Sequence, residues 1–140
     1  MGELKVEVRY FSKSGNTKKL AEAIAEAAGC TAYQIPTPVK GETDILFLGA
    51  AVYWGGISSE VKKFIQTLDK NRIDRVAVFS TSSLAQRAFP QIRKELEKNG
   101  IKVIDEDFYC RGQFKTLYRN RPDENDLKEA RKYAGKIIRR

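Results

Sequence analysis

The chain has 140 residues, of which 41% are hydrophobic and 31% are charged, as is typical of a single globular domain. It contains no histidine and two cysteines, so a histidine-based hydrolase triad, a zinc site and an iron–sulfur cluster are not expected. The net charge is +8, and most of the excess lies in residues 71–140; this suits an acidic partner, an anionic ligand or weak nucleic-acid contact, although a plain solvated surface would carry the same charge.

No apolar run reaches the roughly 18 residues that a membrane-spanning helix needs, and residues 1–5 do not resemble a signal peptide. We therefore expect a cytoplasmic protein consisting of one domain, residues 1–140. In that compartment Cys30 and Cys110 are expected to be reduced thiols.

The first predicted element is a strand, because Leu4, Val6, Val8 and Tyr10 alternate with polar residues. Its other face carries Glu7 and Arg9, which is unusual for a central parallel strand. We expect these two side chains to pair with neighbours or to lie where helical cover is thin.

The remaining elements follow from periodicity and from helix-start and helix-stop residues. The first half continues with a helix that ends at Gly29, a short strand at 31–35, a buried strand at 44–50 and a helix capped by Ser58 or Ser59. The second half contains a strand at 75–81, a helix with Pro90 in its first turn that ends at Asn99, and a fifth strand that residues 101–104 lead into and that extends to Tyr109. The last element is a helix that begins at Pro122 and Asp123. This alternation predicts an α/β fold: three layers built on a doubly wound, five-stranded parallel sheet.

The stretch Ser12-Lys13-Ser14-Gly15-Asn16-Thr17 joins the first strand to the first helix. It offers three hydroxyls, a glycine that permits a tight turn, and the unpaired N–H groups of a helix start. The helix dipole adds partial positive charge at that end, which suits a phosphate dianion. We interpret the stretch as the phosphate site of flavin mononucleotide (FMN), although a plain turn and helix cap would use the same residue types.

Two later segments also follow predicted strands, and the carboxyl ends of parallel strands share one edge of a sheet. The first contains Val52, Tyr53, Trp54, Gly55 and Gly56, whose aromatic faces suit stacking on a flavin ring. The second contains Thr81, Ser82 and Ser83, whose hydroxyls suit the ring edge or the ribityl chain. Taken singly, the aromatic pair is more typical of a core, and the hydroxyls are more typical of a helix cap.

At these residues the chain resembles the flavodoxin family. Residues 12–17 are similar to its phosphate loop, Ser/Thr-x-Ser/Thr-Gly-x-Thr, and Gly49 to Gly56 are similar to its ring-flanking loop. The resemblance implies a flavodoxin-like fold with strand order 2-1-3-4-5, tightly but non-covalently bound FMN, and electron transfer.

By the same resemblance, hydroxyls of Ser12, Ser14 and Thr17 and backbone N–H groups of Gly15, Asn16 and Thr17 would bind phosphate. Tyr53 and Trp54 would flank the ring, Gly55 and Gly56 would lie near its edge, and residues 81–83 would form the third cofactor loop. We also expect Cys110 to Phe114 to border the site, because this segment follows the fifth strand.

The chain departs from the family in two respects. It is basic where electron-carrier flavodoxins are typically acidic, and residues 80–88 lack the usual second aromatic. A negatively charged reduced flavin should be less unfavourable in a basic chain than in an acidic one. An open ring face would admit a small quinone. The alternatives are therefore a carrier serving a redox partner protein, which the charge suggests is acidic, and a small FMN-dependent quinone or NAD(P)H reductase.

Two further alternatives replace the flavin function altogether. One is a flavin-free binding module on the same fold. The other is nucleic-acid binding through the basic second half, which we do not expect because no module pattern accompanies the charge. Arg111, Lys115, Arg119 and Arg121 could steer an acidic partner, although a solvated loop would have the same composition.

Overall fold

The computed structural model describes residues 4–52, 56–82, 88–113 and 119–139. Within them the strands and helices alternate as the sequence predicts. In chain order they are β1 (Val6–Tyr10), α1 (Asn16–Ala28), β2 (Ala32–Gln34), β3 (Thr43–Ala51), α2 (Ser59–Gln66), β4 (Ile73–Ser82), α3 (Phe89–Lys98), β5 (Phe108–Arg111) and α4 (Glu124–Arg139).

The five strands form one parallel sheet in the order β2-β1-β3-β4-β5. This confirms both the predicted fold class and the strand order that the family resemblance implied. The order reverses beside β1, which pairs with β2 on one side and β3 on the other. Loops that leave the carboxyl ends on either side of such a reversal diverge and leave a crevice where ligands bind.

Alternate residues of the central strands enter two separate cores, one on each face of the sheet. Phe47 and Phe79 pack in the core that also contains α1 and α4 side chains such as Leu20 and Ile137. Their strand neighbours enter the other core, which contains the apolar faces of α2 and α3. Three layers result because strands that are apolar on both faces need helices on both sides.

Gly49 is required by this packing. It lies opposite Phe79 in the β3–β4 pairing, and a Cβ at position 49 would come within 2.1 Å of the Phe79 ring. The sequence analysis assigned Gly49 to the start of the ring-flanking loop, whereas the structure gives it a packing role.

On the polar face of β1, Arg9 is only 3% exposed. Its guanidinium forms an ion pair with Glu7 at 2.8 Å and donates to the Thr37 and Pro38 carbonyls at 2.9 and 2.7 Å. It also donates to the Val8 carbonyl at 3.0 Å. The expected pairing of Glu7 and Arg9 is therefore confirmed, and it lets a buried charge sit on an interior strand.

The helix boundaries also follow the predicted signals. Gly29 ends α1 with a φ of 74°, and the Ser58 hydroxyl accepts the Val61 N–H at the start of α2. Pro90 lies in the first turn of α3, and Asn99 is its C-cap. Of the two serines considered for α2, Ser58 is thus the cap.

The predicted start of the fifth strand is wrong. Val103 forms an isolated bridge with Val76, and regular pairing begins at Phe108 opposite Phe79. Between these two pairs β4 advances three residues while the other chain advances five, so residues 104–107 bulge from the sheet. The strand then extends two residues beyond Tyr109, to Arg111.

We predict that Arg9→Ala lowers the free energy of unfolding by about 2–3 kcal/mol, because two loop carbonyls and Glu7 lose a charged donor. Arg9→Lys should recover less than half of the loss, since one ammonium cannot reach the same set of acceptors. Urea unfolding of both variants measures this. The control is Arg72→Ala, which breaks an exposed 3.6 Å pair with Asp69 and should change stability by no more than about 0.5 kcal/mol. A neutral Arg9→Ala would contradict the assignment.

Candidate cofactor site

Backbone hydrogen bonds continue past the strand ends and gather the predicted segments at the carboxyl edge of the sheet. The Phe11 N–H donates to the Gly49 carbonyl at 3.0 Å, and the Val52 N–H donates to the Thr81 carbonyl at 3.2 Å. The Gly112 N–H donates to the Ser82 carbonyl at 3.2 Å. The loops that follow β1, β3, β4 and β5 therefore start side by side.

The loop between β1 and α1 is closed by Ser12, whose hydroxyl accepts the Gly15 N–H at 2.9 Å. Gly15 has a φ of 93°, and a Cβ there would meet nothing within 4 Å. Glycine is thus needed for the backbone angle and not for space. The Gly15 N–H, which the family resemblance assigns to phosphate, donates to the Ser12 hydroxyl in this structure.

The first turn of α1 is left without a side-chain cap. The N–H groups of Asn16, Thr17 and Lys18 have no acceptor among the described residues, and the described first turn contains no acidic side chain. Lys13 and Ser14 are exposed beside it. Unpaired donors, the positive end of a helix dipole and a nearby lysine are the features that favour an anion.

Thr17 connects this turn to the loop after β4. Its hydroxyl lies 2.8 Å from the Thr81 hydroxyl, and the two residues are 1% and 2% exposed. Because one hydroxyl must donate to the other, one proton of the pair remains available to a further acceptor. The structure therefore brings together two residues, 64 positions apart, that the sequence analysis assigned to the same site.

The segment after β5 also borders the β1–α1 loop, as expected. The Asn16 side-chain amide donates to the Gln113 carbonyl at 3.0 Å, and a Cβ at Gly112 would lie 2.8 Å from that amide nitrogen. Glycine at 112 thus permits the close approach. The contact partners of Asn16 were not predicted, because a glutamine carbonyl far along the chain leaves no motif.

Cys110 and the basic residues of this region have different roles. Burial, followed by the nearby Asp126 carboxylate, raises the pKa of the Cys110 thiol to about 12, so this cysteine is a neutral core group at pH 7. Arg121 is paired with Asp126, which leaves it less suited to steering a partner than the sequence suggested. Arg119 is exposed, and Lys115 lies outside the described residues.

The ring-flanking assignments are only partly placed by the structure. Val52 is 8% exposed and belongs to the α2–α3 core. A Cβ at Gly56 would lie 2.4 Å from the Gln91 side-chain oxygen, which accepts the Ile57 N–H at 2.9 Å. Gln91 of α3 therefore fixes the end of this loop, a contact that the sequence did not reveal. Tyr53, Trp54, Gly55, Ser83 and Phe114 lie outside the described residues.

Two absences can be stated for the described part of the chain. It contains no group of three His, Cys, Asp or Glu side chains placed to hold a metal ion. None of its helices is both long enough and apolar enough to cross a membrane.

We predict that the Thr17–Thr81 contact is energetically coupled. Thr17→Val should lower stability by about 1–2 kcal/mol, because it leaves the Thr81 hydroxyl buried without its partner, and Thr81→Val should do the same. The double variant should lose less than the sum of the two, since it leaves no orphaned hydroxyl. Urea unfolding of the three variants gives the coupling energy, and strict additivity would show that the hydroxyls do not depend on each other.

Comparison with known proteins identifies the family of the chain. The model of the flavodoxin domain family matches residues 8–119. An uncharacterised protein of Methanocaldococcus jannaschii is 26% identical over 138 residues, covering 89% of this chain and 91% of the relative.

Two solved structures show the same fold. A flavodoxin from the domain Archaea superposes with a TM-score of 0.80 at 21% identity, covering 97% of each chain. Oxidised flavodoxin 2 from Bacillus cereus superposes with a TM-score of 0.68 at 21% identity, covering 96% of each chain. Since the family match spans most of the chain and the strand order agrees with it, the chain belongs to the flavodoxin family, whose members bind flavin and transfer electrons.

Proposed function

We propose that this protein binds FMN non-covalently and transfers electrons through it. The observation that carries the proposal is the first turn of α1, where N–H groups that find no acceptor in the described part of the chain lie beside the predicted hydroxyls. FMN differs from riboflavin by the phosphate that such a turn would bind. Membership of the flavodoxin family supports the same cofactor.

The residues present fit a phosphate group. The N–H groups of Asn16, Thr17 and Lys18 would donate to its oxygens, with the hydroxyls of Ser12 and Ser14 alongside. Exposed Lys13 and Lys18 add positive charge at the same end of α1. Charge-assisted hydrogen bonds of this kind are stronger than neutral ones, which suits a dianion.

The division of roles follows from this placement. Bound FMN supplies one- and two-electron redox chemistry, and the protein supplies binding, orientation and access. The α1 turn fixes the phosphate end, and the Thr17–Thr81 pair fixes the distance between the β1 and β4 loops. Tyr53, Trp54, Gly55 and Gly56 are proposed to border the ring, with Thr81, Ser82 and Ser83 beside its edge or the ribityl chain. No acid–base residue is assigned.

The electron partner is proposed to be an acidic redox protein. Exposed Lys13, Lys18 and Arg119 lie on elements at the carboxyl edge, where the cofactor would be reached, and the chain has a net charge of +8. Such a surface accelerates encounter with a negatively charged protein and is screened by salt.

We predict that the purified protein is yellow or becomes so with added FMN, and that it binds FMN at least about tenfold more tightly than riboflavin. Ser14→Glu should weaken FMN binding by about tenfold to a hundredfold through repulsion of the phosphate, and should leave riboflavin binding nearly unchanged. Fluorescence titration measures both ligands.

The matched control is Ser59→Glu, which adds the same charge at an exposed position in the first turn of α2. It should bind FMN like the wild type. Failure of the wild type to bind FMN would overturn the proposed function. Equal affinity for FMN and riboflavin would overturn the phosphate assignment while leaving a flavin protein.

The choice between a carrier and a reductase is tested by stopped-flow reduction of the FMN-loaded protein. We predict slow reduction by NADH and NADPH, and fast electron exchange with an acidic redox protein that weakens as ionic strength rises. Fast reduction by a nicotinamide nucleotide followed by turnover of quinones would identify the reductase instead. Residues 80–88, which contain no second aromatic, are the feature that favours this alternative.

A further inference from the structure

The N-terminus of α4 is organised around Asp126, which is 7% exposed. The Asp126 N–H donates to the Asp123 carboxylate at 2.9 Å, and the Asp123 N–H donates to the Asp126 carboxylate at 2.8 Å. This reciprocal pair is a capping box built from two aspartates. It fixes the Asp126 carboxylate at the start of the helix.

Arg121 grips this carboxylate with two donors. Its Nη2 lies 2.8 Å from Asp126 Oδ1, and its Nε donates to the other carboxylate oxygen. Although burial raises the pKa of the Asp126 carboxyl, the hydrogen bonds from Arg121 and Asp123 outweigh it and hold the pKa below its usual value. The carboxylate is therefore charged at neutral pH, and the fork is maintained.

The backbone beside Arg121 holds Gln113 from two sides. The Gln113 N–H donates to the Arg121 carbonyl at 2.8 Å, and the Asn120 N–H donates to the Gln113 side-chain oxygen at 3.0 Å. Asn120 has a φ of 66°, so its backbone turns sharply to make this contact. Residue 113, two positions beyond the end of β5, is thereby tied to the segment that leads into α4.

Gln113 in turn holds Asn16. Its carbonyl accepts the Asn16 side-chain amide at 3.0 Å, next to Gly112. A chain of contacts therefore runs from Asp126 through Arg121 and Gln113 to the first residue of α1. We call Asp126, Arg121 and Gln113 the clasp.

The clasp has a consequence for the uncapped turn. An asparagine side chain readily accepts a hydrogen bond from a backbone N–H two or three residues ahead. At Asn16 this would direct the amide oxygen to the Lys18 N–H and would occupy a donor that an anion could use, whereas the Lys19 N–H is already bound to the Gly15 carbonyl at 3.1 Å. Because the Asn16 amide nitrogen donates to the Gln113 carbonyl, the side chain is held toward residue 113 and not toward the backbone of its own helix.

We propose that the clasp is a positioning device that keeps the Asn16 side chain from capping its own helix, and so keeps the α1 turn open for the flavin phosphate. The inference rests on the proposed FMN function. Arg121 and Asp126 act here through Gln113 and Asn16, and neither is assigned a contact with the cofactor. A purely structural clasp would stabilise the fold without affecting which flavin is preferred.

The test compares FMN with riboflavin, which lacks the phosphate. In Arg121→Gln we expect the dissociation constant for FMN to rise about threefold to tenfold, the loss of roughly one well-placed hydrogen bond, with riboflavin unchanged. Arg121→Lys, a milder change that keeps the charge but loses the fork, should shift FMN affinity in the same direction by less. All titrations are made well below the melting temperature of each variant.

Asn16→Ala provides the decisive comparison, because it removes the amide that the clasp restrains. In this background Arg121→Gln should have no further effect on FMN affinity. Arg93→Ala is the matched control: Arg93 of α3 also binds two carboxylates, those of Glu97 and Asp105, and should leave FMN affinity unchanged.

The outcomes separate the two proposals. A wild type that does not prefer FMN to riboflavin overturns the phosphate site itself. A wild type that does prefer FMN, with Arg121 variants that keep the same preference or lose both flavins equally, overturns the clasp alone. An equal effect of Arg121→Gln with and without Asn16 would also overturn it.

Discussion

The uncapped first turn of α1 is the constraint on which the site depends. Replacing a good N-cap by none typically costs about 1 kcal/mol. Two of the other helices avoid this cost, because α2 is capped by Ser58 and α4 by its aspartate box. α3 also lacks a side-chain cap, but Pro90 in its first turn has no N–H, so one donor fewer is left there. In α1 no such change reduces the donors, and those of Asn16, Thr17 and Lys18 have no acceptor among the described residues.

The neighbouring polar groups are satisfied in a way that preserves this availability. Ser12 binds Gly15, Thr17 binds Thr81, and the Asn16 amide binds the Gln113 carbonyl. Each contact uses a group that would otherwise compete for the free N–H donors of the turn. These contacts order the turn before any ligand arrives, so the proposed binding of phosphate would require little further loss of conformational freedom.

Much of the fold could be predicted because its signals are local. Apolar runs identified β3 and β4, while Gly29 and Ser58 marked helix ends. The start of β5 was missed because the bulge is defined by its register against β4, a non-local property. Buried Tyr133 on α4 depends on a similarly distant partner, because its hydroxyl donates to the Glu106 carbonyl at 2.7 Å, 27 residues away.

The same division applies to the site. The loop at 12–17 was predictable since strand, turn and helix start are contiguous in sequence, and its anion-binding donors follow from helix geometry alone. The residues that contact the segments of the candidate site were not predictable. Gln91 and Gln113 act through contacts with segments 34 and 97 residues distant, and isolated glutamines carry no pattern that distinguishes them from surface residues.

Arg9 and Arg121 show that some of the basic residues stabilise the fold and do not only add charge to the surface. Arg9 fills the face of β1 and binds the loop carbonyls after β2, while Arg121 joins the start of α4 to the end of β5. In both cases a planar, multidentate donor secures an irregular segment that has no ladder of its own. Their charges are largely neutralised by Glu7 and Asp126. Lys13, Lys18 and Arg119 are instead exposed, and the proposals of a phosphate ligand and an acidic partner rest on exposed basic residues of this kind.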